Sequence, residues 1–270
     1  MYQRPTESLN VPLPDGLDLD VHDNIATITL NRPSALNTLT FEMIDALTDL
    51  YDRVDRDPDV LVVLLTAAGT RAFCAGIDVK ELKNADAQDR LAAMPMGGPR
   101  RNLFEVMTEC AKPTVAAVTG LALGAGCELA LASDIRILAA DARMGLPEAK
   151  VGMGANFASH ILPRLIPRGL AFEMLYTGRT IDADTAHTWG LANQLVDTDV
   201  RAKAENMCRT IASNAPLTVR RYKQVIAAGA DLPLSAAMRI RGIPNPYTSA
   251  DRTEGLDAML TKRSPQWQAR

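Results

Sequence analysis

Several things are scarce in this 270-residue chain, and each scarcity closes off a class of function. Charge of one sign is not in excess: 29 basic side chains stand against 32 acidic ones, a net charge of −3. That balance excludes a strongly basic nucleic-acid binder and an acidic disordered tail. No uncharged apolar run reaches the ~20 residues a membrane helix needs. The nearest approach, Val115–Ala132, is interrupted by Gly120, Gly124, Gly126 and Glu128, so no membrane partner is expected. The opening stretch MYQRPTESLNVPLPDG has no apolar core of a signal peptide, and none is expected. Cys74, Cys110, Cys127 and Cys208 have apolar neighbours and no CxxC spacing. They read as reduced, buried thiols of a cytoplasmic protein. His22, His160 and His187 lie too far apart in sequence for a local metal site. What is abundant is apolar residue, 47% of the chain, enough for a sizeable core without disulfides.

Pattern then gives organisation. Leu17–Val21 and Ile25–Leu30 alternate on either side of a His-Asp-Asn turn and predict a β-hairpin. Leu39–Val54 has helical spacing, with Thr40 as its N-cap. Val60–Thr66 is continuously apolar, the mark of a strand covered on both faces. Gly69–Ile77 reads as a loop before a short helix. A helix follows at Arg100–Cys110, then strands at Thr114–Val118 and Ile135–Ala139, with a helix near Gly126–Ala132 between them. After Pro147 the spacing predicts helices at His160–Ile166, Leu170–Tyr176, Ala183–Trp189, Val200–Ser213, Leu217–Ala228 and Leu234–Ile240, and one short strand at Asn193–Val196. Strand and helix alternate, which argues an α/β fold with right-handed crossovers. Strands stop near residue 200. Three parts are expected: an N-terminal arm over 1–16, a core over 17–200 that carries the site, and a helical region over 201–270 that serves assembly.

Three segments could carry chemistry. Between Pro113 and Ser133 the only charge is Glu128, just after Gly124-Ala125-Gly126. Glycines between a buried strand and a helix let the backbone turn and let a ligand approach it. The first helical turn has free N–H groups and the positive end of the dipole, a place for an anion or a polarised carbonyl. Glu128 is either a first-turn acid facing water or a working carboxylate. Twenty residues on stands Glu148, after Pro147 at the start of a helix. It is either a helix-start acid or a second carboxylate opposite the first. Two carboxylates in one apolar pocket have pKa values pushed apart and can divide acid and base roles. The third segment is Arg71–Leu82. Asp78 reads first as an N-cap, with Glu81 as its partner three residues on. That cap puts the backbone N–H groups near Ile77 at a helix start. If this loop faces Gly124–Gly126, the amides of Ile77 and Ala125 converge on one carbonyl oxygen. Cys74 reads as a packed thiol, since nothing nearby would activate it. Asn31–Asn37 reads as a turn. Residues 84–99, breaker-rich and bearing Met94 and Met96, read either as a mobile lid over the site or as an ordinary surface loop.

The order of the motifs is more telling than any one of them. NRPSALNTLT, RAFCAGIDVKEL, GLALGAGCELALASDIRI, MGLPEAKVGMG, TGRTIDADTAHTWGLANQLV and SADRTEGLDAMLTKRSPQW follow one another along residues 17–267. In this the chain resembles the enoyl-CoA hydratase/isomerase (crotonase) family. The resemblance implies a spiral of ββα units with a C-terminal helical trimerisation region, and a homotrimer or dimer of trimers. It implies an acyl-CoA thioester substrate held by backbone donors at Ile77 and Ala125, with catalytic glutamates at Glu128 and Glu148. The loops at Ser34, Ala35 and Leu36 and at Ala75, Asp78, Val79 and Lys80 would cradle the coenzyme A moiety. No metal and no separate cofactor is implied, because coenzyme A is part of the substrate. The chain departs from the common pattern at Gly152–His160, which is bulkier than a glycine-rich run, at Ser34, where a basic residue is frequent, and at Ala125, where glycine is. The reading that follows is a 2-trans-enoyl-CoA hydratase. Its alternatives are another acyl-CoA reaction on the same fold, such as double-bond isomerisation, and a non-catalytic acyl-CoA binder.

Overall fold

Strand β1 (Leu17–His22) and strand β2 (Ile25–Leu30) form the expected antiparallel hairpin in the computed structural model, which describes residue 9, residues 11–88 and residues 101–269. Its turn residues Asp23 and Asn24 both take positive φ, which short side chains of this type tolerate. Much of the N-terminal arm, residues 1–8 and 10, lies outside the described residues. β2 pairs in parallel with β3 (Val62–Ala67), and the sheet continues through β5 (Thr114–Val118), β7 (Ile135–Ala139) and β10 (Gln194–Val196). Every residue of β5 and all but the last of β3 are buried, as their unbroken apolar runs require.

A second, four-stranded sheet was not visible in the residue pattern. It joins β4 (Ala72–Cys74), β6 (Leu121–Leu123), β8 (Arg143–Gly145) and β9 (Thr180–Asp182) in that order. Each of these strands has three residues, too few to display a period-two alternation. So β4 corrects the loop expected over Gly69–Ile77, and β6 occupies part of the glycine-rich stretch. From β3 onward the chain lays one strand into each sheet and then turns into a helix or helical turn: β3 with β4, β5 with β6, β7 with β8. This is the α/β spiral of ββα units that the resemblance implied.

Helix α1 (Phe41–Arg56) starts where Thr40 Oγ1 accepts the Met43 amide at 3.1 Å. It buries Met43, Leu47, Leu50, Tyr51 and Val54, one face at helical spacing. At its C-terminal end, the carbonyls of Val54 and Asp57 accept hydrogen bonds from the buried ammonium of Lys112. Helix α2 (Val79–Ala87) extends through residues 84–87, which were read as part of a lid; 89–99 lie outside the described residues. Helix α3 (Leu103–Glu109) begins with a capping box between Asn102 and Glu105. All of helix α4 (Ala125–Ala132) is buried, Glu128 included. Helices α5 (Asn156–Leu165), α6 (Arg168–Thr177) and α7 (Ala183–Thr188) follow, α5 starting four residues earlier than His160. Helices α8 (Val200–Ala212), α9 (Pro216–Gly229), α10 (Leu234–Ala237) and α11 (Ala250–Thr261) complete the chain. α10 stops short of the expected Ile240. Among the described residues no helix is long and apolar enough to cross a membrane. All four cysteines are free and buried.

Helix α4 can pack so closely on β4 only because residue 126 is glycine. A Cβ there would lie 2.0 Å from the Cys74 carbonyl oxygen and 2.7 Å from the Cys74 Cβ. Neither neighbour can yield, one being backbone and the other the root of a fully buried side chain. Gly126→Ala is therefore expected to destabilise the fold by about 3 kcal/mol, the upper end for overpacking a filled core. The midpoint of urea unfolding measures this, and a midpoint equal to that of the wild type contradicts it.

Candidate active site

The two loops read as a cradle are paired in the structure. The Ala75 amide donates to the Leu36 carbonyl at 3.0 Å, the Leu39 amide to Gly76 at 2.9 Å and the Asp78 amide to Leu39 at 2.8 Å. Leu36 and Asn37 both take φ of 53°, which turns the first loop back on itself. Asn37 is buried and fastens that turn, donating to the carbonyls of Ala68 and Ala72 at 2.9 and 2.7 Å. Ser34 is exposed at the tip, Ala35 and Leu36 half-buried behind it, and Val79 and Lys80 exposed on the facing loop, with Ala75 half-buried. Asp78 is the expected cap: its Oδ1 accepts the Lys80 amide at 3.0 Å. Its other oxygen binds the Arg32 guanidinium at 3.1 Å. These contacts hold the Asp78 carboxyl below the usual carboxylate range, the Lys80 amide first among them. Glu81 is not the partner expected in that cap. Its carboxylate reaches across to the Phe41 amide, at 3.5 Å. Arg32, which ties one loop to the other, was not anticipated. A single arginine before a proline has no periodic signature.

The same loop then meets the turn into α4. Gly76 has φ of +105°, and a Cβ on it would lie 3.2 Å from the Leu123 carbonyl oxygen and 3.9 Å from the Ala125 amide nitrogen. Gly124, at φ of +55°, would bring a Cβ to 3.0 Å from Glu148 Oε1 and 3.8 Å from the Gly76 Cα. Gly76, Gly124, the Ala125 amide and the Glu148 carboxylate thus occupy one small volume. Among the described residues the amides of Ile77 and Ala125 donate to no acceptor. Two unengaged donors at a helix start suit an oxygen on which negative charge develops. The Cys74 thiol lies behind this surface. Burial pushes it up to about 12, so it stays neutral and packed.

The structure also brings the two glutamates into each other's field. Glu128 points from α4 to the start of α5, where its Oε1 accepts the Ala158 amide at 2.8 Å, with the Phe157 amide beside it. Burial pushes Glu128 up from an ordinary 4.5 to about 7, and the Glu148 charge adds to the rise, while the two amides oppose it. Glu148 sits in the first turn of the helical turn Pro147–Val151, partly buried. Burial raises it also, and its Oε2 is shielded from solvent with no hydrogen-bond partner. Glu128 can therefore give and take a proton near neutral pH, which a solvated carboxylate cannot. The amides of Phe157 and Ala158 were not foreseen; a backbone donor leaves no trace in residue type.

Known proteins resemble this chain over nearly its whole length. A family model for enoyl-CoA hydratase/isomerase matches residues 20–270. The chain is 37% identical to the (E)-benzylidenesuccinyl-CoA hydratase of Thauera aromatica, covering 92% of this chain and 96% of that one. It is 32% identical to the short-chain-enoyl-CoA hydratase of Clostridium acetobutylicum, over 91% and 94% of the two chains. The crystal structure of an enoyl-CoA hydratase from Bacillus anthracis superposes with a TM-score of 0.86 at 32% identity, covering 95% of this chain and all, 100%, of that one.

The raised Glu128 has a consequence for stability. In the unfolded chain this carboxyl loses its proton near 4.5, whereas in the folded protein it holds it to about 7. The native state therefore binds the extra proton between those values. The stability contributed by this group is complete below about 4.5 and drains away as the pH rises to about 7. Glu128→Gln removes that dependence while keeping an oxygen for the Ala158 amide. The stability of the variant relative to wild type is expected to rise from pH 4.5 to 7, by at most about 1.4 kcal/mol per pH unit, and then level off. Denaturant unfolding of both proteins at pH 5, 6, 7 and 8 checks the sign.

Proposed function

Since this chain belongs to the enoyl-CoA hydratase/isomerase family, we propose that it hydrates 2-trans-enoyl-CoA thioesters at the site just described. The observation that carries the reading is the partnerless, buried oxygen of Glu148 beside the unengaged Ile77 and Ala125 amides, with Glu128 across from it. In this reading the two amides receive the thioester carbonyl oxygen. Their hydrogen bonds strengthen as enolate charge develops, which is where donors aimed in advance lower the barrier. Glu128, kept toward its anionic form by the two amides, orients a water against Cβ of the enoyl group. Glu148 delivers a proton to Cα. The hydroxyl joins Cβ, and the water's remaining proton returns to the carboxylate pair. One water is consumed and the pair ends as it began. The chemistry calls for no metal or redox cofactor; coenzyme A arrives with the substrate, in the cradle of residues 34–36 and 75–80. An isomerase needs only one base beside the same two amides, so the second buried glutamate favours hydration.

We infer further that the working form is a homotrimer or a dimer of trimers. The C-terminal helices leave Ile226, Leu234, Met238, Met259 and Leu260 exposed, an apolar surface suited to burial between subunits. The four free thiols suit a reducing, cytoplasmic setting.

Glu148→Gln is expected to lower the turnover of crotonyl-CoA by about 10²–10⁴-fold while acyl-CoA binding survives, because the amide keeps the shape and cannot carry the proton. Loss of the enoyl absorbance would be too general a readout alone, so the product is identified as the 3-hydroxyacyl thioester by mass. A wild-type protein that moves the double bond without adding water is an isomerase. The assay includes an aryl-bearing enoyl thioester, since the Thauera relative is named for one. Sedimentation is expected to give a trimer or hexamer at micromolar concentration, and removal of residues after 200 a monomeric or insoluble chain; a stable full-length monomer contradicts the assembly.

A further inference from the structure

Phe157 stands in the first turn of α5, inside the run 152–160 that is bulkier than the family's common pattern. Its ring stacks on Phe104 of α3, the centroids 5.2 Å apart and the planes at 19°. Its amide and that of Ala158 are the groups that meet the Glu128 carboxylate. The start of α5 has no capping side chain: Ala155, the residue before the helix, makes no side-chain cap hydrogen bond. α3, in contrast, is firmly held, by the Asn102–Glu105 capping box and by Leu103, Val106 and Met107 in the core. The fixed element is therefore α3, and the stack is a side-chain contact that carries its rigidity to the first turn of α5, beside the buried Ala155 and Ala158.

We propose that the Phe104–Phe157 stack is a positioning element, which holds the amides of Phe157 and Ala158 on Glu128 and so sets how readily that carboxyl gives up its proton. The amide of Ala158 sits at 2.8 Å, and a hydrogen bond of this kind is lost within the next several tenths of an ångström. Loosening the turn by that much leaves Glu128 buried without its donors, and its anion is disfavoured. The titratable groups around Glu128 do not offset the change. Glu148 faces Glu128 from the turn at 147–151, and the Cys127 thiol adjoins it on α4, held neutral by burial. On α3, Glu105 is turned to the Asn102 amide and Glu109 to Arg101. On α5, Arg164 pairs with Asp231, and His160 is exposed.

The role in turnover rests on the hydratase reading; the hold on Glu128 does not. The test uses the full chain carrying ¹³C-labelled glutamate, with each variant compared with the same variant bearing Glu128→Gln. The difference isolates the Glu128 carboxyl and follows its titration by NMR without substrate. Phe157→Ala is expected to raise the midpoint by about half a unit to one unit, and to lower kcat for crotonyl-CoA roughly 10-fold with KM within about twofold. Phe157→Tyr keeps the stack and should match wild type. Phe104→Ala leaves α5 untouched in sequence and should give the same shift, and the double variant no more than either alone, since one contact is being removed. Phe104→Leu and Phe157→Leu carry the same comparison if the alanine variants do not fold. Variants that lower the melting temperature while the Glu128 midpoint stays at its wild-type value overturn the proposal. A wild type that hydrates no enoyl thioester defeats the hydratase reading alone, and the titration still decides the positioning role.

Discussion

The site depends on how closely one backbone can lie against another. The end of β4 and the first turn of α4 approach until the Gly126 Cα faces the Cys74 carbonyl, with room for no further carbon. Gly76 and Gly124 extend the same contact toward Glu148. Side chains at these positions would hold the elements apart by their own width and carry the amides of Ile77 and Ala125 away from each other. The close approach is in turn supported from behind. α4 is buried on every side, so its axis is set by the core and not by solvent. The stiffness of the two donors is thus inherited from packing.

Placing an acid in that setting brings opposed effects into balance. Withdrawing a carboxylate from water disfavours its charge, and the amides of the α5 start favour it. Burial wins by a margin small enough that the proton still exchanges near neutrality. The low dielectric that raises the acid also strengthens every donor nearby. Acid and donors are therefore tuned by one environment, and a change in water access would move both.

The larger elements were legible because each repeats a pattern long enough to read. The hairpin, α1 with its Thr40 cap, and the buried strands β3, β5 and β7 all lie within a few residues of where periodicity placed them. The four-stranded sheet was illegible because its three-residue strands show no period, and its existence follows from pairing between distant segments. At the site, Glu128 and Glu148 stood out as charges in apolar surroundings, and the glycines flanking Ala125 marked a backbone approach. Their meeting is a tertiary fact. So is the destination of Glu81, whose spacing from Asp78 suited a local cap but whose carboxylate found the Phe41 amide instead. Arg32 and the amides of Phe157 and Ala158 carried no local signal, one being an isolated residue and the others main-chain atoms.

That the two donors at Ile77 and Ala125 are main-chain groups also bears on how such a chain changes over generations. No single substitution at either position deletes an N–H, proline excepted. The half-buried Ile77 side chain can therefore change in size and shape while its amide stays, whereas Ala125 is kept small by the core around α4. If these amides polarise a carbonyl as proposed above, selection on the outline of the cavity at residue 77 is uncoupled from selection on the means of polarising it. On the hydratase reading proposed above, a lineage can explore new substrates at residue 77 without first passing through an inert intermediate.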